Sequence, residues 1–150
     1  MSDLRDLYQE VVLEHGKNPR NLRPMEDATA ELQGYNPLCG DKILLYVRTE
    51  GDLVKDISFE GAGCAISMAS ASLLSETMVG KTKAEVDVVF ESFHSMLTGS
   101  PDQPIDSEKL GKLAVFGGVC EYPMRVKCAS LSWHTLKAIL NDREDVVTTE

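Results

Sequence analysis

The apolar residues of this chain change period along its length, and that change limits the fold class. Lys42–Arg48 (KILLYVR) is a short, strongly apolar, β-prone run. Leu53–Phe59 alternates Leu53, Lys55, Ile57 and Phe59 against Val54, Asp56 and Ser58. Glu50-Gly51-Asp52 supplies the hairpin between them, and Ala30–Tyr35 is a third, shorter candidate strand. From Cys64 onwards the apolar residues recur at helical spacing. Cys64–Val79 reads as a helix stopped by Gly80, and Lys83–Leu97 carries Val86, Val89, Phe90, Phe93 and Leu97 on one face. Ser107–Val115 follows, with Asp106 as a candidate N-cap. The last helix, Glu121–Leu140, has Pro123 in its first turn, where proline is tolerated. Another amphipathic stretch, residues 3–15, comes before the strands, with Leu4, Leu7, Tyr8, Val11 and Val12 at helical spacing and Gly16 as its stop. Strands first and helices after predict an α+β fold: a small three-stranded antiparallel sheet with helices packed on one face.

The 150 residues fit one domain, 1–150, with 141–150 expected as a frayed polar tail. A hydrophobic share of 43% is enough for a real core. The net charge of −9 argues against nucleic acid, whose phosphates call for Lys and Arg. Lys17–Pro24 (KNPRNLRP) is the main basic spot and reads as a solvated turn-rich loop, with a partner contact as the lesser reading. No apolar run is long enough to cross a bilayer, and the charged opening MSDLRDLYQE has no secretory pattern. The expected location is therefore the cytoplasm, where four cysteines point to ligands or nucleophiles rather than a disulfide framework.

Three of those cysteines sit in unusual surroundings. Cys39 lies in Asn36-Pro37-Leu38-Cys39-Gly40-Asp41, a tight loop between strands. Thiolate and carboxylate placed side by side repel unless a cation stands between them. Cys64 follows Gly61-Ala62-Gly63 and opens a helix, whose dipole favours thiolate. Cys128 is three residues after Arg125, so the two share a helix face and a cation stands near the sulfur. Each has a plainer reading: a turn aspartate with a half-exposed thiol, a small hydrophobe opening a buried helix, a core cysteine. Cys120, beside Glu121, reads as structural or spare. His15, His94 and His134 read as core or surface residues, and Trp133 and Tyr122 as packing residues. No C-x-x-C pair exists, so zinc-ribbon and thioredoxin signatures are missing.

The segments Asn36–Asp41 (NPLCGD), Gly61–Ser67 (GAGCAIS) with Met68–Ser72, and Arg125–Trp133 (RVKCASLSW) together resemble the U-type iron–sulfur cluster assembly proteins. Residues 7–21 (LYQEVVLEHGKNPRN) resemble that family's opening helix and loop. Within the family the chain looks SufU-like rather than like the IscU scaffolds. Lys127 stands where IscU proteins have a histidine before the third cysteine. Residues 83–104 look like an insertion typical of SufU, and the proline-rich chaperone motif of IscU is missing around Pro123. The resemblance implies that Cys39, Asp41, Cys64 and Cys128 bind one zinc ion, with Arg125 beside them. It also implies a zinc-dependent sulfurtransferase that accepts persulfide sulfur from a PLP-dependent cysteine desulfurase and serves downstream iron–sulfur scaffold proteins; Cys39 is the natural acceptor, because it sits on a loop with Pro37 and Gly40 rather than on a helix. Two alternatives stay open: a scaffold that holds iron or a transient iron–sulfur cluster on the same residues, and a structural zinc adaptor.

Overall fold

The computed structural model describes residues 2–100, 107–142 and 146–148, with the side chains of residues 2–8 and Ser107 left aside. Helix α1 spans Ser2–Lys17. Three strands follow: β1 Ala30–Asn36, β2 Asp41–Glu50 and β3 Leu53–Ala62. Then come α2 Ala65–Thr77, α3 Lys83–Thr98, the single turn α4 Ser107–Leu110, a 3-10 helical run Gly111–Glu121, and α5 Pro123–Leu140. Val147–Thr148 forms β4. The α+β class is as expected, but the sheet has four strands in the order β3-β2-β1-β4, and it is mixed. β1, β2 and β3 form the antiparallel meander; β4, inside the segment expected to fray, adds parallel to β1 through Gly34–Val147 and Tyr35–Thr148.

The sheet is buried on one face. Ile43, Leu45 and Val47 of β2 are fully buried there, while Lys42 and Arg48 of the other face are exposed. A one-residue slip would turn those three apolar side chains outward at about 1.5–3 kcal/mol each, so the register is strongly specified. β3 departs from simple alternation. Arg48 pairs with Asp56 but Thr49 pairs with Val54, so Lys55 is an extra residue in a β-bulge. The bulge brings Val54, rather than Leu53, onto the core face with Ile57 and Phe59, all three fully buried.

Helices α2 and α5 cover the core face, α1 packs on α2, and α3 packs against α5 and the 3-10 run. Phe93 of α3 stacks on the fully buried Trp133 of α5 with ring centroids 4.7 Å apart. Several boundaries differ from expectation, among them the end of α2, which stops at Thr77 before Gly80. Gly16 does not end α1; its missing side chain lets α1 approach α2, because a Cβ there would stand 3.0 Å from the Ala65 carbonyl oxygen. The helix expected over Ser107–Val115 is α-helical only to Leu110, and Asp106 lies outside the described residues. Glu121 belongs to the 3-10 run, so α5 opens at Pro123. Tyr122 is exposed and packs into no core, unlike Trp133.

Two contacts fix how α5 lies on the sheet. A Cβ at Gly34 would stand 2.3 Å from Thr135 Oγ1, so only glycine lets the helix run this close to β1. Asn36 is two residues further along the same strand face, and Cys128 is two helical turns before Thr135. The packing at Gly34 therefore brings the end of β1 against the start of α5.

Candidate metal centre

One end of the sheet gathers the polar residues. Asn36 and Asp41 are paired partners across the β1–β2 turn, and Lys42 pairs with Ala62 at the end of β3. Cys39 rides on the turn, Gly63 and Cys64 lie just past β3, and the first turns of α5 carry Cys128 over them. Residues 25 and 64 positions apart in sequence thus reach one place.

The ligand atoms of Cys39, Asp41 and Cys128 lie within 4.8 Å of one another. Cys128 Sγ is 3.4 Å from Cys39 Sγ, and Cys64 Sγ is 3.9 Å from Asp41 Oδ2. Asp41 is fully buried. Its Oδ1 accepts the Cys64 N–H at 2.8 Å, which leaves Oδ2 turned to the sulfurs. Among the described residues no Lys or Arg forms an ion pair with this carboxylate. Three thiols around a buried, unneutralised carboxylate are a poor arrangement for a bare protein and a good one for a divalent cation. The donor set suits a borderline-soft ion such as zinc, with four ligands of mainly sulfur character.

The three sulfurs are held differently. Cys64 is the N-cap of α2, and its sulfur accepts the Ser67 N–H at 3.4 Å. A hydrogen bond from the Cys128 thiol lowers the Cys64 pKa to about 6, and the Ser67 N–H adds to this against burial and the Asp41 charge. Cys128 is buried, and its pKa is raised. Its hydrogen bond to Cys64 raises its pKa most, followed by burial and by hydrogen bonds to Asp41 and Cys39. Cys128 Sγ also accepts from Asn36 Nδ2 at 3.6 Å. Cys39 is exposed, and among the described residues its sulfur receives no N–H.

Arg125 is on the exposed first turn of α5, with its guanidinium 4.9 Å above the Tyr122 ring. Cys120 is half-buried in the 3-10 run, where its thiol reaches the Gly117 carbonyl at 3.4 Å. The three histidines lie away from this group. His15 bonds Ser72, and His94 and His134 lie beside Phe90. The basic loop pairs internally, Arg20 with Glu14 at 3.0 Å and Arg23 with Asp56 at 3.1 Å. Asn36 was not singled out from the sequence, and Gly63 was noted only as a glycine before Cys64. Asn36 precedes a proline and stands three residues before the candidate ligand Cys39, and Gly63 adjoins Cys64; those positions were the available signals.

Converging thiols and a carboxylate at the end of a small sheet, under the first turns of a helix, form a candidate metal–thiolate site. The chain belongs to the NifU-like N-terminal domain family, whose match spans residues 7–129. It is 40% identical over 136 residues to the zinc-dependent sulfurtransferase SufU of Bacillus subtilis, covering 91% of this chain and 90% of that protein. It is 38% identical over 137 residues to the iron–sulfur cluster assembly scaffold protein IscU of Streptococcus pyogenes, covering 91% and 84%. A crystal structure described as a putative iron–sulfur cluster assembly scaffold protein for the SUF system, from Fervidobacterium islandicum, superposes with a TM-score of 0.81 at 37% identity. That superposition covers 87% of this chain and 94% of the other. The SufU-like resemblance stands on these matches, and the protein's field is iron–sulfur cluster assembly. Among the described residues no helix is long and apolar enough to cross a membrane.

Proposed function

We propose that this protein is a zinc-dependent sulfurtransferase of iron–sulfur cluster assembly. It accepts sulfur from the persulfide of a PLP-dependent cysteine desulfurase and passes it to downstream iron–sulfur scaffold proteins. The observation that carries the reading is the approach of Cys39, Asp41 and Cys128 to within 4.8 Å, with Cys64 3.9 Å from the same carboxylate. Cys39, Asp41, Cys64 and Cys128 would hold zinc, which when bound keeps its thiol ligands deprotonated near neutral pH. Cys39 and Cys64 are both exposed; Cys39 is the acceptor because it sits on a turn rather than at a helix N-terminus and, unlike Cys64, has no N–H donor among the described residues. Its thiolate attacks the outer sulfur of the partner's persulfide. A new S–S bond forms on Cys39, the partner's S–S bond breaks, and the partner's cysteine leaves as thiolate. Arg125 is a supporting residue. It stands one turn before Cys128 with no ion pair among the described residues, so it can turn from Tyr122 towards the anionic sulfurs.

Radiolabelled sulfur transfer tests the assignment. Cys39→Ala is expected to lose acceptance of sulfur from the desulfurase, and normal acceptance by that variant refutes the role given to Cys39. Relatives named as cluster assembly scaffolds favour a second reading, in which the same four residues hold a nascent cluster as cargo. Purified protein separates the two: colourless with one zinc supports transfer, and a brown, labile cluster supports scaffolding. The exposed Cys39 disfavours a purely structural zinc adaptor, in which no thiol would react with a persulfide donor.

A further inference from the structure

The hydrogen-bond environment of the three sulfurs is unequal, and one fully buried side chain accounts for part of the difference. Asn36 is completely shielded from solvent and sits at the last residue of β1. Its Oδ1 accepts the Leu38 N–H at 3.2 Å, and its backbone carbonyl accepts the Gly40 N–H at 2.8 Å. One residue therefore closes the whole Pro37–Gly40 turn that carries Cys39. The Leu38 contact also fixes the amide orientation, because only the oxygen can accept from a backbone N–H. The NH₂ end must then face the opposite way, and it lies 3.6 Å from Cys128 Sγ.

An N–H aimed at a ligand sulfur withdraws charge from it. The sulfur becomes a poorer nucleophile and stays in place, whereas a sulfur with no N–H donor keeps more of its reactivity. Cys64 has the Ser67 N–H, Cys128 has Asn36, and Cys39 has neither. We infer that Asn36 is a positioning residue that makes the choice of reactive cysteine. It quiets Cys128 by an amide hydrogen bond while presenting Cys39 on the turn that its other two acceptors hold. This inference rests on the metal–thiolate reading above.

The test uses the full chain loaded with cobalt(II) in place of zinc, in wild type, Asn36→Asp and Asn36→Ser. Asp keeps an oxygen for the Leu38 N–H and removes the amide donor. Ser keeps a hydroxyl acceptor and is too short to reach Cys128, so one variant serves if the other fails to fold. Losing an N–H donor raises the energy of the sulfur lone pairs. The sulfur-to-cobalt charge-transfer band is therefore expected to move to lower energy in both variants. With limiting iodoacetamide, and with the non-ligand Cys120 counted separately, peptide mapping is expected to show alkylation of the metal ligands confined to Cys39 in wild type and a several-fold larger Cys128 share in the variants. An unmoved band with unchanged alkylation, in protein that binds cobalt and accepts sulfur on Cys39, overturns the role of Asn36 alone. Failure of the wild type to bind cobalt overturns the metal reading and this inference together.

Discussion

At Gly63 a methyl group would stand 2.6 Å from Asp41 Oδ1, the oxygen that accepts the Cys64 N–H. The carboxylate cannot yield easily, because it is fully buried at the start of β2. Gly63→Ala should therefore push Asp41 away from both Cys64 and the sulfurs. We expect about 1–3 kcal/mol of destabilisation, the usual cost of forcing atoms into a packed site, together with weaker metal binding. Gly118→Ala is the control, since a Cβ there meets nothing within 4 Å. Thermal unfolding and zinc titration of the two variants decide the matter. Equal behaviour would mean that the Gly63 contact relaxes at no cost. At this scale the sequence was legible where residue chemistry is unusual in itself. A thiol two positions from a carboxylate marks Cys39 and Asp41, and glycines before a helix mark Cys64. It was silent on Asn36, and it marked Gly63 only as a glycine beside Cys64 and not as the residue packed against Asp41; the importance of both comes from what the fold sets against them.

Between elements, the closest fit is α5 on β1. Gly34→Ala puts a methyl 2.3 Å from Thr135 Oγ1 and 3.1 Å from Leu131 Cδ1, so helix and strand must separate. The expected cost is again about 1–3 kcal/mol. The separation also lengthens the reach from Asn36 to Cys128. Adding Thr135→Ala removes the nearer obstacle and should recover part of the loss, and denaturant unfolding of the single and double variants measures it. A double variant no more stable than Gly34→Ala would show that the Thr135 contact is not the cause. The elements that could be read in advance are those whose period is clean. Val86, Val89, Phe90, Phe93 and Leu97 are all buried on α3, and the Thr82–Glu85 capping box marks its start. The bulge at Lys55 was not legible, because one extra residue leaves strict alternation looking intact on either side of it. The 3-10 run Gly111–Glu121 has three glycines and almost no amphipathic asymmetry to betray its pitch. β4 is two residues long, and only pairing with Gly34 and Tyr35 makes it a strand.

Across the whole molecule, stability should depend on two histidines far from the sulfurs. His15 is buried between α1 and α2, with Nδ1 2.7 Å from Ser72 Oγ. Burial lowers its pKa below the ordinary 6.5, and the Arg20 charge adds to this against the opposite pull of Glu76. His134 is lowered likewise, by burial first and then by the charges of His94 and Lys137. In both cases the unfolded chain takes up a proton at a pH where the folded chain does not. The unfolded state then binds more protons, so stability rises with pH across that interval. Above about 6.5 neither histidine costs anything. As pH falls from there towards the depressed folded values the penalty grows, and beneath those values it is constant. Chemical unfolding at pH 7.5 and 5.5 should show wild type losing stability on acidification. The variant carrying His15→Gln and His134→Gln should lose less, while the response of the thiols and carboxylates stays common to both. An equal loss in both proteins would remove the histidines from the account and leave the acid sensitivity to other groups with depressed pKa values, such as Cys64 and Glu14.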